Sequence, residues 1–154
     1  MKFEIPAPLR IDHEALDAQL KQAMHAEGAV GAAAREVARL VYPHFQREKD
    51  FALPPLGLLA DVVRGALRTE MHEALAMTRK LKAELPAMFD EHRQIMVALE
   101  KLSAAAHAAG RPEVEDFAAA LAQHADMEER VLYPAAVLLG EHLARALEEA
   151  PVLE

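Results

Sequence analysis

The sequence predicts an all-α fold: a four-helix bundle with an extra helical segment between the second and third helices and a short C-terminal helix. Three observations carry this. Apolar residues recur at i, i+3, i+4 and i+7 along most of the 154 residues, and the alternation that marks strands is absent. Hydrophobic residues make up 53% of the chain, largely Ala and Leu, but aromatics only 5%, which suits packed helices better than a β-sandwich. Proline and glycine punctuate the apolar stripes into helix-length pieces. A chain of this length supports one well-packed core, so residues 1–154 are read as one domain, with 58–85 as the added helical segment.

The first helix is expected to begin with Asp12 as its N-cap and to stop near Gly28, with Leu9, Leu16, Leu20 and Met24 on one face. The second runs from about Ala29 towards Lys49, with a kink or a fresh start at Pro43. Residues 50–57, which include Pro54, Pro55 and Gly57, form the clearest breaker in the chain. The extra segment then covers Leu58 to about Glu84 and ends or bends at Pro86. A third bundle helix spans about Ala87 to Ala109, and the turn at Gly110–Pro112 opens the fourth, with Pro112 suited to a first helical position. The fourth runs to about Leu139 with a bend at Pro134, and Gly140 precedes the short terminal helix.

Charge and composition exclude several function classes. A formal charge of -8 argues against broad phosphate-backbone binding, which needs a basic face, so no nucleic-acid partner is expected. Cysteine is absent, which removes disulfides, Cys-rich zinc modules, iron–sulfur clusters and thiol catalysis. Any metal must be held by nitrogen and oxygen ligands. The first ten residues lack the apolar core of a secretion signal, and no apolar run approaches membrane-spanning length. A cytoplasmic protein with no membrane partner is therefore expected.

The histidines carry the chemistry. His44 and Glu48, and again His124 and Glu128, lie one helical turn apart. Both pairs interrupt an apolar stripe: Val37, Leu40, Val41, His44, Glu48, Phe51 in one, and Phe117, Leu121, His124, Glu128, Val131, Leu132 in the other. Burying an ionised Glu costs several kcal/mol, roughly, unless a partner or a metal compensates. His92 lies among Leu85, Met88, Phe89, Ile95, Met96 and Leu99, and His13 among Leu9, Leu16 and Leu20. Each proposed bundle helix thus carries one inward histidine, the distribution that a metal site inside a bundle requires. With 25 acidic residues in the chain, an acid four residues after a histidine means little by count; the placement on apolar stripes carries the argument. His25 and His107, beside helix-ending glycines, read as C-terminal caps, and His72 and His142 read as surface residues. Met88, Met96 and Met127 read as packing.

Other metal and nucleophile motifs are missing. No histidine has a Glu three residues before it, as the Glu-x-x-His signature of ferritin-like di-iron sites demands. His13-Glu14 and His72-Glu73 lack the second histidine of the zincin pattern, and no Gly-x-Ser-x-Gly turn surrounds Ser103, the only serine.

Four stretches carry a family resemblance: Ile11-Asp-His-Glu-Ala-Leu16, His44-Phe-Gln-Arg-Glu48, Glu91-His-Arg-Gln-Ile95, and His124-Ala-Asp-Met-Glu-Glu-Arg-Val-Leu-Tyr-Pro134. Through them the chain resembles the hemerythrin-like HHE cation-binding domains over nearly its whole length. The resemblance implies two non-heme irons inside the bundle, with zinc or manganese as alternatives. His13, His44, His92 and His124 would be nitrogen ligands, and Glu48 and Glu128 the carboxylates, bridging the metals or binding one each. It also implies a small partner ligand such as oxygen, peroxide or nitric oxide. Three departures separate the chain from the oxygen carriers. Met96 replaces a second third-helix histidine, and Lys49 stands where many HHE domains have a second acid. Glu129, beside Glu128, holds the position of the carriers' aspartate, so either glutamate could reach the metal. These departures favour redox sensing or simple metal binding over reversible oxygen carriage.

A second reading belongs to another class. The stripe Leu59, Val62, Val63, Ala66, Leu67, Met71, Ala74, Leu75, Thr78 and Leu81 is wide enough to pack on the bundle and to reach a second subunit. Packing within one chain competes there with a homodimer built partly on this segment. On the second reading the chain is a metal-free interaction module that uses this apolar face, and its His/Glu pairs are hydrogen-bonded core residues. No substrate pocket for an enzyme is evident in the sequence.

Overall fold

Apolar stripes of about 3.6-residue period, rich in Ala and Leu, produce helices almost throughout. The computed structural model describes residues 3–149, and every regular element among them is helical. The elements are α1 (Ala7–Met24), α2 (Gly28–Arg47), a short α3 (Leu59–Val63), the long α4 (Met71–Ala108), α5 (Pro112–Met127) and α6 (Tyr133–Glu149). A π-helical turn, Glu48–Ala52, continues α2, and a second, Glu128–Leu132, joins α5 to α6. A 3₁₀ turn, Pro54–Leu58, lies where the breaker was expected.

Helix α1 packs on α2 and α5, and α4 packs on the same two, so the four close into a bundle. One apolar layer contains Leu20, Val37, Val41, Leu99, Phe117 and Leu121. A second, beyond the level of the histidines, contains Phe51, Leu53, Leu81, Met88 and Tyr133. Polar ligand candidates are thereby enclosed between two water-excluding layers.

Several expected boundaries are corrected. Helix α1 starts at Ala7 with Pro8 in its first turn, so Asp12 is a helical residue and not a cap. Neither Pro43 nor Pro86 ends a helix. Both are exposed, so the carbonyl that each proline leaves without an amide partner lies on the wet side of its helix. The extra segment is consequently no separate helix: beyond α3 and a loop, residues from Met71 onward are the first half of the 38-residue α4. Similarly, Gly140 does not start a short terminal helix but lies within α6. It marks a close helix crossing instead, since a Cβ built there would lie 2.0 Å from Thr78 Oγ1 on α4. Gly110, at φ +65°, makes the tight turn from α4 into α5, in a region that L side chains resist.

The stripe over 59–81 is largely covered within the chain. Val62, Leu67, Met71 and Ala74 pack with Leu139 and Leu143 of α6, leaving only Leu59 and Val63 substantially exposed among its large residues. Among the described residues no helix is long and apolar enough to cross a membrane.

Candidate metal centre

All six residues singled out as ligands converge between the two apolar layers, although they come from four helices. His13 is delivered by α1, His44 by α2, His92 by α4 and His124 by α5; Glu48 and Glu128 each open a π-helical turn. None is more than 5% exposed. A π-turn widens the helix by one residue and is often found at functional sites. Here both carboxylates stand at such a turn.

The donors fall into two groups that share the glutamates. His13, Glu48, His124 and Glu128 form one, and His44, Glu48, His92 and Glu128 the other; within each, the donor atoms lie within 4.8 Å of one another. The rings face each other in pairs, His13 Nε2 to His124 Nε2 at 2.9 Å and His44 Nε2 to His92 Nε2 at 2.8 Å. Glu48 places Oε1 2.6 Å from His44 Nε2 and Oε2 3.2 Å from His13 Nε2. Glu128 places Oε1 3.4 Å from His92 Nε2, and Oε2 3.3 Å from His124 Nε2 and 3.6 Å from His13 Nε2. Each carboxylate therefore gives one oxygen to each histidine pair.

Outer carboxylates fix the ring orientation. Glu91 Oε2 lies 3.0 Å from His44 Nδ1 and Glu129 Oε1 lies 2.9 Å from His92 Nδ1. Asp12 Oδ2 is 2.5 Å from His124 Nδ1, although it is not aligned with the ring N–H direction. Arg47 in turn holds Glu91 and Glu84. An Nδ1–H donated outward leaves the Nε2 lone pair aimed at the centre, the arrangement of a metal-ligating imidazole. Glu128 points inward among the four histidines, whereas Glu129 meets His92 from its outer, Nδ1 side.

Electrostatics in this enclosed space are uneven. Burial pushes both glutamates up, but the adjoining Glu128 carboxyl and the His13 and His44 imidazoles hold the Glu48 carboxyl well below the usual range. Burial and the Glu48 charge hold Glu128 well above it. Burial pulls His13 down, yet Glu128 and Glu48 outweigh it; His44 is likewise raised by Glu48 and Glu91. His92 is lowered by burial and by the neighbouring His44 ring. Oε2 of both glutamates is buried without a hydrogen-bond partner. Buried carboxylate oxygens facing imidazole lone pairs are what a cation satisfies, so the residues fit a metal site. Imidazole and carboxylate together suit iron, manganese or zinc.

Sequence reasoning missed Tyr133. The stripe after Glu128 pointed to Val131 and Leu132, but Val131 is 56% exposed and Tyr133 is fully buried. The π-turn accounts for the shift, since it makes i+5 the inward position in place of i+3 and i+4. The Tyr133 hydroxyl lies 3.2 Å from Glu48 Oε1, and its ring stacks on His92. Burial and the Glu48 and Glu128 carboxylates push its phenol pKa up. Met88 is core, whereas Met96 and Met127 line clefts at the surface beside His92 and His124, respectively. His25, His72, His107 and His142 are exposed, away from the centre.

Comparison with known proteins finds no matching family, no matching curated protein and no matching solved structure.

Proposed function

We propose that this chain is a hemerythrin-like protein that holds two non-heme metal ions, iron in the first instance, and uses them to sense or handle oxygen, peroxide, nitric oxide or iron itself. One observation carries the reading: two buried glutamates each divide their oxygens between two facing histidine pairs. His13 and His124 would hold one ion, His44 and His92 the other, and Glu48 and Glu128 would bridge them. An iron pair supplies redox chemistry and open coordination positions for a small ligand. The protein's own work is to orient the rings through Glu91 and Glu129, to exclude bulk water with the apolar layers, and to bring two negative charges to the cations. Two divalent ions would outweigh the two carboxylates that meet them directly, which would favour an anionic or polarisable small ligand there.

The interaction-module reading gains no comparable support. It needs the stripe over 59–81 as a free surface, and most of that stripe is covered by α6.

The test is iron binding by histidine variants. His44→Ala and His124→Ala, loaded with iron(II) under anaerobic conditions and desalted, should each retain far less iron than the parent. Full retention in either variant removes the site assignment.

A further inference from the structure

We infer that Tyr133 is a fifth protein donor to the metal between His44 and His92, so that the two metal positions are chemically different. This rests on the metal reading above and concerns the ligand set of one position within it.

The geometry is that of a converging donor. The Tyr133 hydroxyl lies 3.2 Å from Glu48 Oε1, 3.3 Å from His44 Nε2 and 3.4 Å from His92 Nε2. All three atoms are donors of one group, and no donor of the His13–His124 pair is among them. An O–H committed to a single carboxylate would stand about 2.6 Å from it. Tyr133 instead keeps a similar, longer distance to three donors, as a ligand facing a common point would. With Glu128, they would complete a five-donor set of two imidazoles, two carboxylate oxygens and one phenol oxygen.

The helix geometry delivers this oxygen to one position only. Tyr133 follows Glu128 by five residues, across the π-turn Glu128–Leu132. The residue five after Glu48, across the matching π-turn, is Leu53, which is buried in the apolar layer and has no donor atom. On the other side of the centre, the Phe45 ring stacks on His13 with centroids 4.3 Å apart and meets His124 edge-on. The His13–His124 position therefore has an aromatic wall where the His44–His92 position has a hydroxyl. Ligation by Tyr133 replaces the phenolic proton with the metal, and that proton leaves to solvent.

The chain has two tyrosines, Tyr42 and Tyr133, which makes the assignment testable by elimination. Wild type, Tyr133→Phe and Tyr42→Phe are loaded with iron(II) and then oxidised with ferricyanide, which takes one electron per iron. Iron content, visible absorption and resonance Raman spectra are recorded for each. Wild type and Tyr42→Phe should show a phenolate-to-iron(III) charge-transfer band with enhanced tyrosine ring modes, and these should shift when the protein carries ring-deuterated tyrosine. Tyr133→Phe should keep its iron and lose both signals. Iron-loaded wild type without phenolate modes, or a Tyr133→Phe spectrum that retains them, overturns the inference and leaves the metal reading standing. Wild type that takes up no iron removes both. Should Tyr133→Phe fail to fold, the deuterium shift persisting in Tyr42→Phe assigns the modes to Tyr133, and loss of the modes in Tyr42→Phe refutes it.

Discussion

Replacing Glu128 with Gln should stabilise the metal-free protein and destabilise it relative to wild type once metal is present. Glu128 is 1% exposed, and its contacts to His92, His124 and His13 run from 3.3 to 3.6 Å, too long for good charge-assisted hydrogen bonds. Its carboxyl is held well above the ordinary value of 4.5 by burial and by Glu48. A raised acid lowers stability as pH climbs past its unfolded value, by about 1.4 kcal/mol per pH unit until the folded group ionises. Each pH unit over which the folded group stays protonated is a loss that Gln does not incur. At about 2–4 °C per kcal/mol, Glu128→Gln should melt above wild type in excess chelator, by roughly 3–6 °C for each such pH unit. Saturating metal should reverse the order, because wild type gains about 2.7 kcal/mol per site at a hundredfold excess over Kd and the variant has lost one oxygen ligand to each ion. Glu48→Gln is the control: with His44 at 2.6 Å, Glu48 is well paired, and its loss should destabilise the metal-free form too. Circular-dichroism melts at pH 7, with chelator and with iron(II), read both signs. If Glu128→Gln lowers Tm equally in chelator and in metal, Glu128 is an ordinary hydrogen-bonded core residue and the reasoning fails.

Two other outcomes follow from the same structure. His13 and His44 titrate above 6.5 without metal, so their contribution is full below pH 6.5 and is lost as pH rises through their folded values. The Tm of the chelated protein should therefore fall from pH 6.5 upward, while that of the metal-loaded protein should not, because ligation favours deprotonated donors; parallel pH profiles would contradict this. Gly140→Ala should destabilise by about 1–3 kcal/mol despite the better helix propensity of alanine, since its Cβ would meet Thr78 Oγ1 at 2.0 Å; an unchanged or raised Tm in thermal denaturation would show that α4 and α6 separate freely there.

Much of the centre was legible because a histidine or glutamate on an apolar stripe has few other places to go. The 3.6-residue period placed His13, His44, Glu48, His92, His124 and Glu128 inward, and the structure brings all six together. What that period does not encode is a π-turn, so Val131 and Leu132 took the place that belongs to Tyr133. Proline was over-read for a related reason. Pro43 and Pro86 lie on exposed faces, where water can satisfy the freed carbonyl, and a helix continues through both. The outer roles of Asp12, Glu91 and Glu129 were hidden, although Glu129 stood out as a possible ligand, because partly exposed acids carry no burial signature and only the tertiary arrangement brings them beside ring nitrogens.

The most direct test of the two-metal centre is elemental analysis of protein produced in iron-supplemented medium, repeated after anaerobic iron reconstitution and desalting. The paired donor groups predict two ions per chain, retained by wild type and lost from His44→Ala and His124→Ala. Wild type that emerges from reconstitution without metal would contradict the central claim.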